Sequence, residues 1–199
     1  MAPENKTQKN VKPPSAEGLA EAAGKAGRKG PPPVHLWNPP FCGDLDMEIR
    51  RDGTWFYLGT PIGRPALVRL FASILKREGD AYFLVTPVEK VGIRVVDAPF
   101  VAVDFERIGS GAGQKLRFTT NVSDTVTASA ENPIRVTRAE NGEPSPYIHV
   151  RRGLEALIDR KTFYRLVEIA RPANHDGQDW LGLWSSDVFF PIIPTAELG

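Results

Sequence analysis

Two stretches of this chain can be laid over one another without a gap. Ile62-Gly63-Arg64-Pro65-Ala66-Leu67-Val68-Arg69-Leu70 meets Ile158-Asp159-Arg160-Lys161-Thr162-Phe163-Tyr164-Arg165-Leu166 at an offset of 96 residues, with Ile, Arg, Arg and Leu coinciding. Each stretch opens a helical pattern. Each follows a strand-like run, Trp55–Leu58 in one case and Tyr147–Val150 in the other. A second run follows each helix, ending in Thr86-Pro87-Val88-Glu89 and in Ser185-Ser186-Asp187. The shared order predicts an α+β fold made by tandem duplication of a strand–helix–strand unit, with mostly antiparallel sheets.

Local patterns fill in that frame. Leu67, Leu70, Phe71, Ile74 and Leu75 recur at helical spacing behind Pro65, which suits a first helical position, and Gly79 is the expected stop. A second helix is expected from about Lys161 to Arg171. Strands are expected at Tyr82–Thr86, Val91–Val96, Phe100–Glu106, Gln114–Thr120, Ile134–Arg138, Tyr147–Arg151, Trp180–Trp184 and Val188–Ile193. Asp52-Gly53 signals a hairpin with a two-residue turn. Counting outward pairs Ile49 with Phe56 and Glu48 with Tyr57, which puts Met47, Ile49, Phe56 and Leu58 in the core. Trp55 and Tyr57 are then left on the other face.

Residues 1–36 are too poor in large aliphatic side chains to offset the entropy of ordering, and they read as a disordered tail. The fold is expected in two parts, an N-terminal α/β repeat over 37–108 and a β-rich repeat with a helix over 109–199. The tail holds six basic and three acidic groups. Taken from totals of 25 and 24, that leaves 19 basic and 21 acidic in the rest, too balanced for a binder of duplex nucleic acid. One cysteine, Cys42, cannot make an internal disulfide, and no run is long and apolar enough for a membrane span. A cytoplasmic protein is the expectation.

Most chemical motifs fail on inspection. Gly109-Ser110-Gly111-Ala112-Gly113 is followed by alternating Lys115, Leu116, Arg117 and Phe118, a strand, whereas a phosphate loop needs a helix there. His35, His149 and His175 have no metal-ligand spacing, so neither metal nor cofactor is expected, and no catalytic set can be assembled. The arginines say more. From residue 37 on there are 15 Arg against four Lys, and Arg suits two-pronged contact with phosphate or carboxylate. Arg64 and Arg160 each precede a helix start, where an anion is favoured. Arg151-Arg152 places two cations side by side. The candidate ligand site is therefore Arg64, Lys90, Arg151 and Arg160 for an anionic group, Trp55 and Tyr57 for a stacked ring, and Glu89 as the carboxylate beside them.

Trp37-Asn38-Pro39-Pro40-Phe41-Cys42-Gly43, Asp52-Gly53-Thr54-Trp55-Phe56-Tyr57 and Phe83-Leu84-Val85-Thr86-Pro87-Val88-Glu89-Lys90-Val91 resemble the bacterial domain of unknown function 1285 family. Arg152-Gly153-Leu154, Phe163-Tyr164 and the run from Trp184 to Pro191 look like its C-terminal half. The resemblance implies two related α/β subdomains, the second similar to pleckstrin-homology folds, a nucleotide-type ligand between them and a role in signalling. The expected function is thus a non-catalytic binding or sensor protein for an anionic small molecule. The alternatives are an adaptor for other proteins and, third, a hydrolase of phosphoesters that would use a carboxylate such as Glu89 or Asp187 as its base.

Overall fold

The computed structural model describes residues 14–26 and 32–197. Helix α1 (Ala16–Ala26) comes first, then a single 3-10 turn at Val34–Leu36. The first sheet follows as β1 (Phe41–Ile49), β2 (Trp55–Tyr57) and β3 (Thr60–Pro61). After helix α2 (Pro65–Ser73) it is completed by β4 (Leu75–Glu78), β5 (Ala81–Val85) and β6 (Lys90–Val95). Its strand order is β3-β2-β1-β6-β5-β4, antiparallel except where β1 runs parallel to β6.

The second sheet consists of β7 (Phe100–Ile108), β8 (Lys115–Thr120), β9 (Thr125–Thr127), β10 (Ile134–Arg138), β11 (Pro144–Arg151) and β12 (Leu154–Ile158). Read from one edge its order is β9-β8-β7-β12-β11-β10, and only β7 and β12 are parallel. That is the first sheet again: two three-stranded meanders joined through a parallel pair of their first and sixth strands. The chain is a duplication, as expected, but the equivalence is not the one at 96 residues. β1 and β7 are both nine residues long, start at Phe41 and Phe100 and end at Ile49 and Ile108, so the repeat runs at about 60 residues.

Helix α2 joins the two meanders of the first sheet, whereas helix α3 (Arg160–Ile169) follows the whole of the second. The two helices share an amphipathic pattern because each must bury one face; they do not occupy one place in the repeat. The halves meet between β6 and β7, so β7 belongs to the second half and not, as expected, to a first repeat ending at 108.

After α3 come β13 (Arg171–His175), β14 (Gln178–Ser185) and β15 (Val188–Pro194), a third small sheet. β15 lies against β10 and β14 against β8. Because β8 and β10 are far apart in the strand order, the second sheet must curl for both contacts to form. Ser185 Oγ seals the closure, accepting from Leu116 N–H at 2.9 Å and donating to the Ala128 carbonyl at 2.7 Å.

Three local expectations yield to tertiary packing. The first hairpin is offset by one residue: a three-residue connection, with Gly53 at φ 82°, pairs Ile49 with Trp55 and Met47 with Tyr57. A one-residue slip turns a strand over, so Trp55 is in the core at 1% exposure and Leu58 is outside at 64%. Helix α2 stops at Ser73 instead of Gly79, because Leu75, Lys76, Arg77 and Glu78 pair with β5. Gly79, at φ 60°, makes that hairpin's turn. Helix α3 ends before Arg171, since Pro172 cannot continue it.

The expectation of a disordered tail does not hold for the described part of residues 1–36. Ala16, Leu19 and Ala23 form a stripe at i, i+3 and i+7 that is buried in the same core as Phe71 of α2. Small alanines let the two helices approach closely, so one leucine suffices as an anchor. Ser15 Oγ accepts from Gly18 N–H at 3.2 Å, which caps the helix start. Residues 1–13 and 27–31 of the expected tail lie outside the described residues. No described helix is long and apolar enough to cross a membrane.

Candidate functional site: a cationic cleft between the halves

The halves are pinned at several points, and the pins frame a cleft. Gly53 of the first hairpin lies so close to the second half that an added Cβ would stand 2.5 Å from Asn121 Nδ2. Asn121 Nδ2 in turn donates to the Gly53 carbonyl at 3.1 Å. Arg51 reaches Ser145 Oγ at 2.9 Å and Asp97 at 3.3 Å, and Tyr147 donates to Asp97 at 2.8 Å. On the other side of the interface the β11–β12 turn faces the end of α2.

That turn carries the site. Arg151 pairs with Leu154, leaving Arg152 and Gly153 as its two central residues, with φ of 46° and 74°. Glycine accepts such angles freely, but an arginine there is strained. Two outside groups hold the turn. His149 Nε2 accepts from Gly153 N–H at 3.0 Å, and Arg77 Nη1, from the first half, donates to the Gly153 carbonyl at 3.1 Å.

Arg151 crosses to the first half. Its guanidinium pairs with Asp124, donates to the Ala72 carbonyl at 3.0 Å and sits 5.0 Å from the centre of the Phe100 ring. It thereby satisfies a carbonyl at the open C-terminal end of α2. Arg152 stays exposed beside it.

Two hollows meet at this turn. The larger, of about 560 Å³, lies between Arg69, Ser73, Ser123, Asp124, Arg151 and Arg152. The smaller, of about 340 Å³, shares Ser73, Arg151 and Arg152 and is floored by Val34, Leu75 and Leu154, with Lys76 and Arg77 on its rim. Five cations thus line the joint cleft, and Asp124 is its one lining carboxylate. Lys76 has Glu78 at 2.9 Å and Arg77 has Asp80 at 3.3 Å, outside the lining. The hydrogen bonds from Lys90 and Lys76 hold the Glu78 carboxyl below its usual range. Arg69 and Arg152 have no carboxylate partner among the described residues.

Of the residues expected from sequence, Arg151 is in this cleft and the others are elsewhere. Arg64 stands just ahead of α2, with no side-chain bond to the helix start, and lines a separate hollow of about 270 Å³ against α1, together with Tyr57. Arg160 lines a third, of about 370 Å³, where its Nε donates to Tyr164 Oη at 2.8 Å; that bond raises its pKa. Arg64 and Arg160 therefore share no cavity. Lys90 is tied to Glu78 at 2.9 Å. Trp55 is stacked on Phe71 inside the core, its Nε1 without an acceptor, and is not available to a ligand. Glu89 lies beside Gly18 and Ala22 of α1, where burial pushes its carboxyl up.

Sequence reasoning missed Arg69, Lys76 and Arg77. It did single out Arg151-Arg152. The further signal was Gly153 behind them and Leu154 after it, a turn dipeptide ahead of an apolar alternation.

The comparisons with known proteins agree with this two-part build. The family model described as the N-terminal domain of the domain of unknown function DUF1285 matches residues 32–98, and the one for the C-terminal domain matches residues 99–192. The chain belongs to the DUF1285 family. The two matches divide where the sheets divide, ahead of β7. A crystal structure of a DUF1285 family protein from Silicibacter pomeroyi DSS-3 is 63% identical, with a TM-score of 0.83, over 92% of this chain and 99% of that one. A second, from Shewanella baltica OS155, is 32% identical with a TM-score of 0.50, over 62% of this chain and 91% of that one. No curated protein matches.

Proposed function

We propose that this DUF1285 protein is a non-catalytic binding or sensor protein that takes an anionic small molecule of nucleotide type into the cleft between its halves. The observation that carries the reading is the convergence of Arg69 and Arg152, without carboxylate partners among the described residues, on one hollow beside Arg151. Uncompensated guanidinium groups at a concave site favour phosphate or carboxylate, which they contact with two parallel N–H donors. Each of the two adjoining hollows is of small-molecule size. Their division also matches an amphiphilic ligand, because the apolar floor of Val34, Leu75 and Leu154 adjoins the cationic wall.

A binding role fits this lining better than a hydrolytic one. Asp124, the lining carboxylate, is engaged by Arg151 and is held as an acceptor instead of being poised as a base. Because Arg151 belongs to the second half and Ala72 to the first, a ligand that draws on Arg151 changes a contact between halves. That coupling is the route by which loading of the cleft becomes a signal. The cytoplasm, where Cys42 stays reduced, is the compartment we assign to it.

The test is a thermal-shift screen with nucleotides and inorganic phosphate, run on the full chain and on the Arg69→Ala/Arg152→Ala double variant. A ligand at a hundred times its dissociation constant adds about 2.7 kcal/mol of stability. The expected result is a shift in the parent that disappears in the double variant, with the ligand-free melting temperature little changed. A shift that survives both substitutions, or none with any compound, overturns the reading.

A further inference from the structure

His149 lies on β11 two residues before Arg151, and both of its ring nitrogens are engaged. Nε2 is 3.0 Å from Gly153 N, and Nδ1 is 3.0 Å from the carbonyl oxygen of Glu131. A backbone N–H only donates, so Nε2 must offer its lone pair; a carbonyl only accepts, so Nδ1 must carry the hydrogen. The contacts thus define a neutral imidazole in one tautomer. Asn132 Nδ2 lies 3.5 Å from Nδ1 and donates to the carbonyls of His149 and Val150 at 3.0 Å each, which braces the strand below the ring.

The charged groups around the ring are accounted for. Glu155 stands opposite on β12 and is gripped by Arg135 of β10 through two contacts of 2.6 Å. The Glu131 side chain turns to Ser129 Oγ. Arg77, from the first half, holds the other side of Gly153 and pairs with Asp80. Tyr147, two residues back along β11, is bonded to Asp97. Arg151 is paired with Asp124, and Arg152 faces solvent.

A proton added to this ring goes to Nε2, where it meets the hydrogen of Gly153 N–H. The acceptor becomes a donor, and a bond becomes a repulsion. The turn that loses it is already strained at Arg152, and its two central residues then keep Arg77 as their outside tie. We propose that His149 is the positioning residue of the cleft and makes its grip on anions depend on pH. Neutral His149 holds the β11–β12 turn so that Arg151 and Arg152 converge, and protonated His149 lets it go. The inference rests on the reading of the cleft as an anion site, but its mechanical step stands apart from that reading and is measured separately.

Two measurements on the full chain decide it. The first follows the Gly153 amide and the His149 ring nitrogens by ¹⁵N NMR as the pH falls. The amide resonance is expected to move with protonation of Nε2; an amide that stays still while the ring titrates overturns the proposal. The second measures sulfate affinity, because sulfate keeps its charge throughout the range. From about pH 8 to about pH 5, sulfate binding to the parent is expected to weaken about fivefold or more, the lower end of typical coupling between two sites. In a His35→Gln background, which removes the histidine that lines the smaller hollow, His149→Gln keeps an acceptor but does not titrate and is expected to bind sulfate with almost no pH dependence. An unchanged slope in that variant sinks the switch. If sulfate binds at no pH, the anion-site reading fails while the amide still decides whether His149 controls the turn.

Discussion

The turns β5–β6 and β11–β12 occupy equivalent places in the two halves, each leading into the strand of the central parallel pair, yet they are built in opposite ways. Thr86, fully buried, closes the first from within: its N–H donates to the Glu89 carbonyl at 2.9 Å, and its Oγ1 accepts from Glu89 N–H at 3.2 Å. None of residues 86–89 has a positive φ. The second turn puts an arginine at φ 46° and relies on His149 from its own strand and Arg77 from the other half. One turn is self-sufficient and carries a single carboxylate, Glu89. The other is strained, externally held, and presents two cations to a cleft. After duplication, the candidate site lies in the copy whose turn is also held from the other half. Strain of this kind persists where the surroundings over-determine it, and such places cluster at functional sites.

The contrast can be broken first in the supporting half. Trp55, at 1% exposure and stacked on Phe71, fixes the sheet onto α2, whose far end supplies Ser73 and the Ala72 carbonyl to the cleft. Trp55→Ala is expected to cost about 3–5 kcal/mol, the range for emptying a large aromatic site in a core. Urea denaturation measures it. A loss below about 1 kcal/mol would mean that the first half does not support the cleft rigidly.

Thr86→Val then tests the self-sufficient turn alone. The substitution keeps the shape but removes the acceptor for the Val88 and Glu89 N–H groups, at 3.4 and 3.2 Å. The expected cost is about 1–3 kcal/mol, read from the same denaturation curves, with no change in sulfate affinity. If ligand binding falls with stability, the two turns are not independent.

How much of this the sequence disclosed follows the range of the interactions. β10 was legible to the residue as Ile134–Arg138, and the start of α2 at Pro65, because alternation and a proline act locally. The hairpin was placed but its register was not. Asp52-Gly53 suits either a two-residue or a three-residue connection, and burial of Trp55 against Phe71 chose between them. Helix α1 was hidden because its buried stripe is two alanines and one leucine, which earns no weight until α2 is there to receive it. The cleft was half visible. Arg151-Arg152 drew notice by adjacency, but Arg69 and Arg77 reach them only through strand pairing and the end of α2. Arg64 and Arg160 misled because helix starts resemble one another wherever they lie in a fold.

The smallest expected effect has the opposite sign, and it bears most directly on the comparison. Arg152→Gly relieves an unfavourable φ at a position glycine adopts freely, so the folded state should gain. The glycine also enlarges the entropy of the unfolded chain, which offsets part of that gain, and a net stabilisation of about 0.5–1 kcal/mol is expected. The same substitution removes one of the two unpartnered guanidinium groups, so the stabilisation that phosphate or sulfate gives the parent should shrink. Stability and binding would then move apart in one variant, which is the signature of strain kept for function. Denaturation with and without sulfate reads both quantities on the same samples. If Arg152→Gly is less stable than the parent and binds sulfate as well, Arg152 serves the packing of the turn, and the β11–β12 turn differs from its counterpart only in shape.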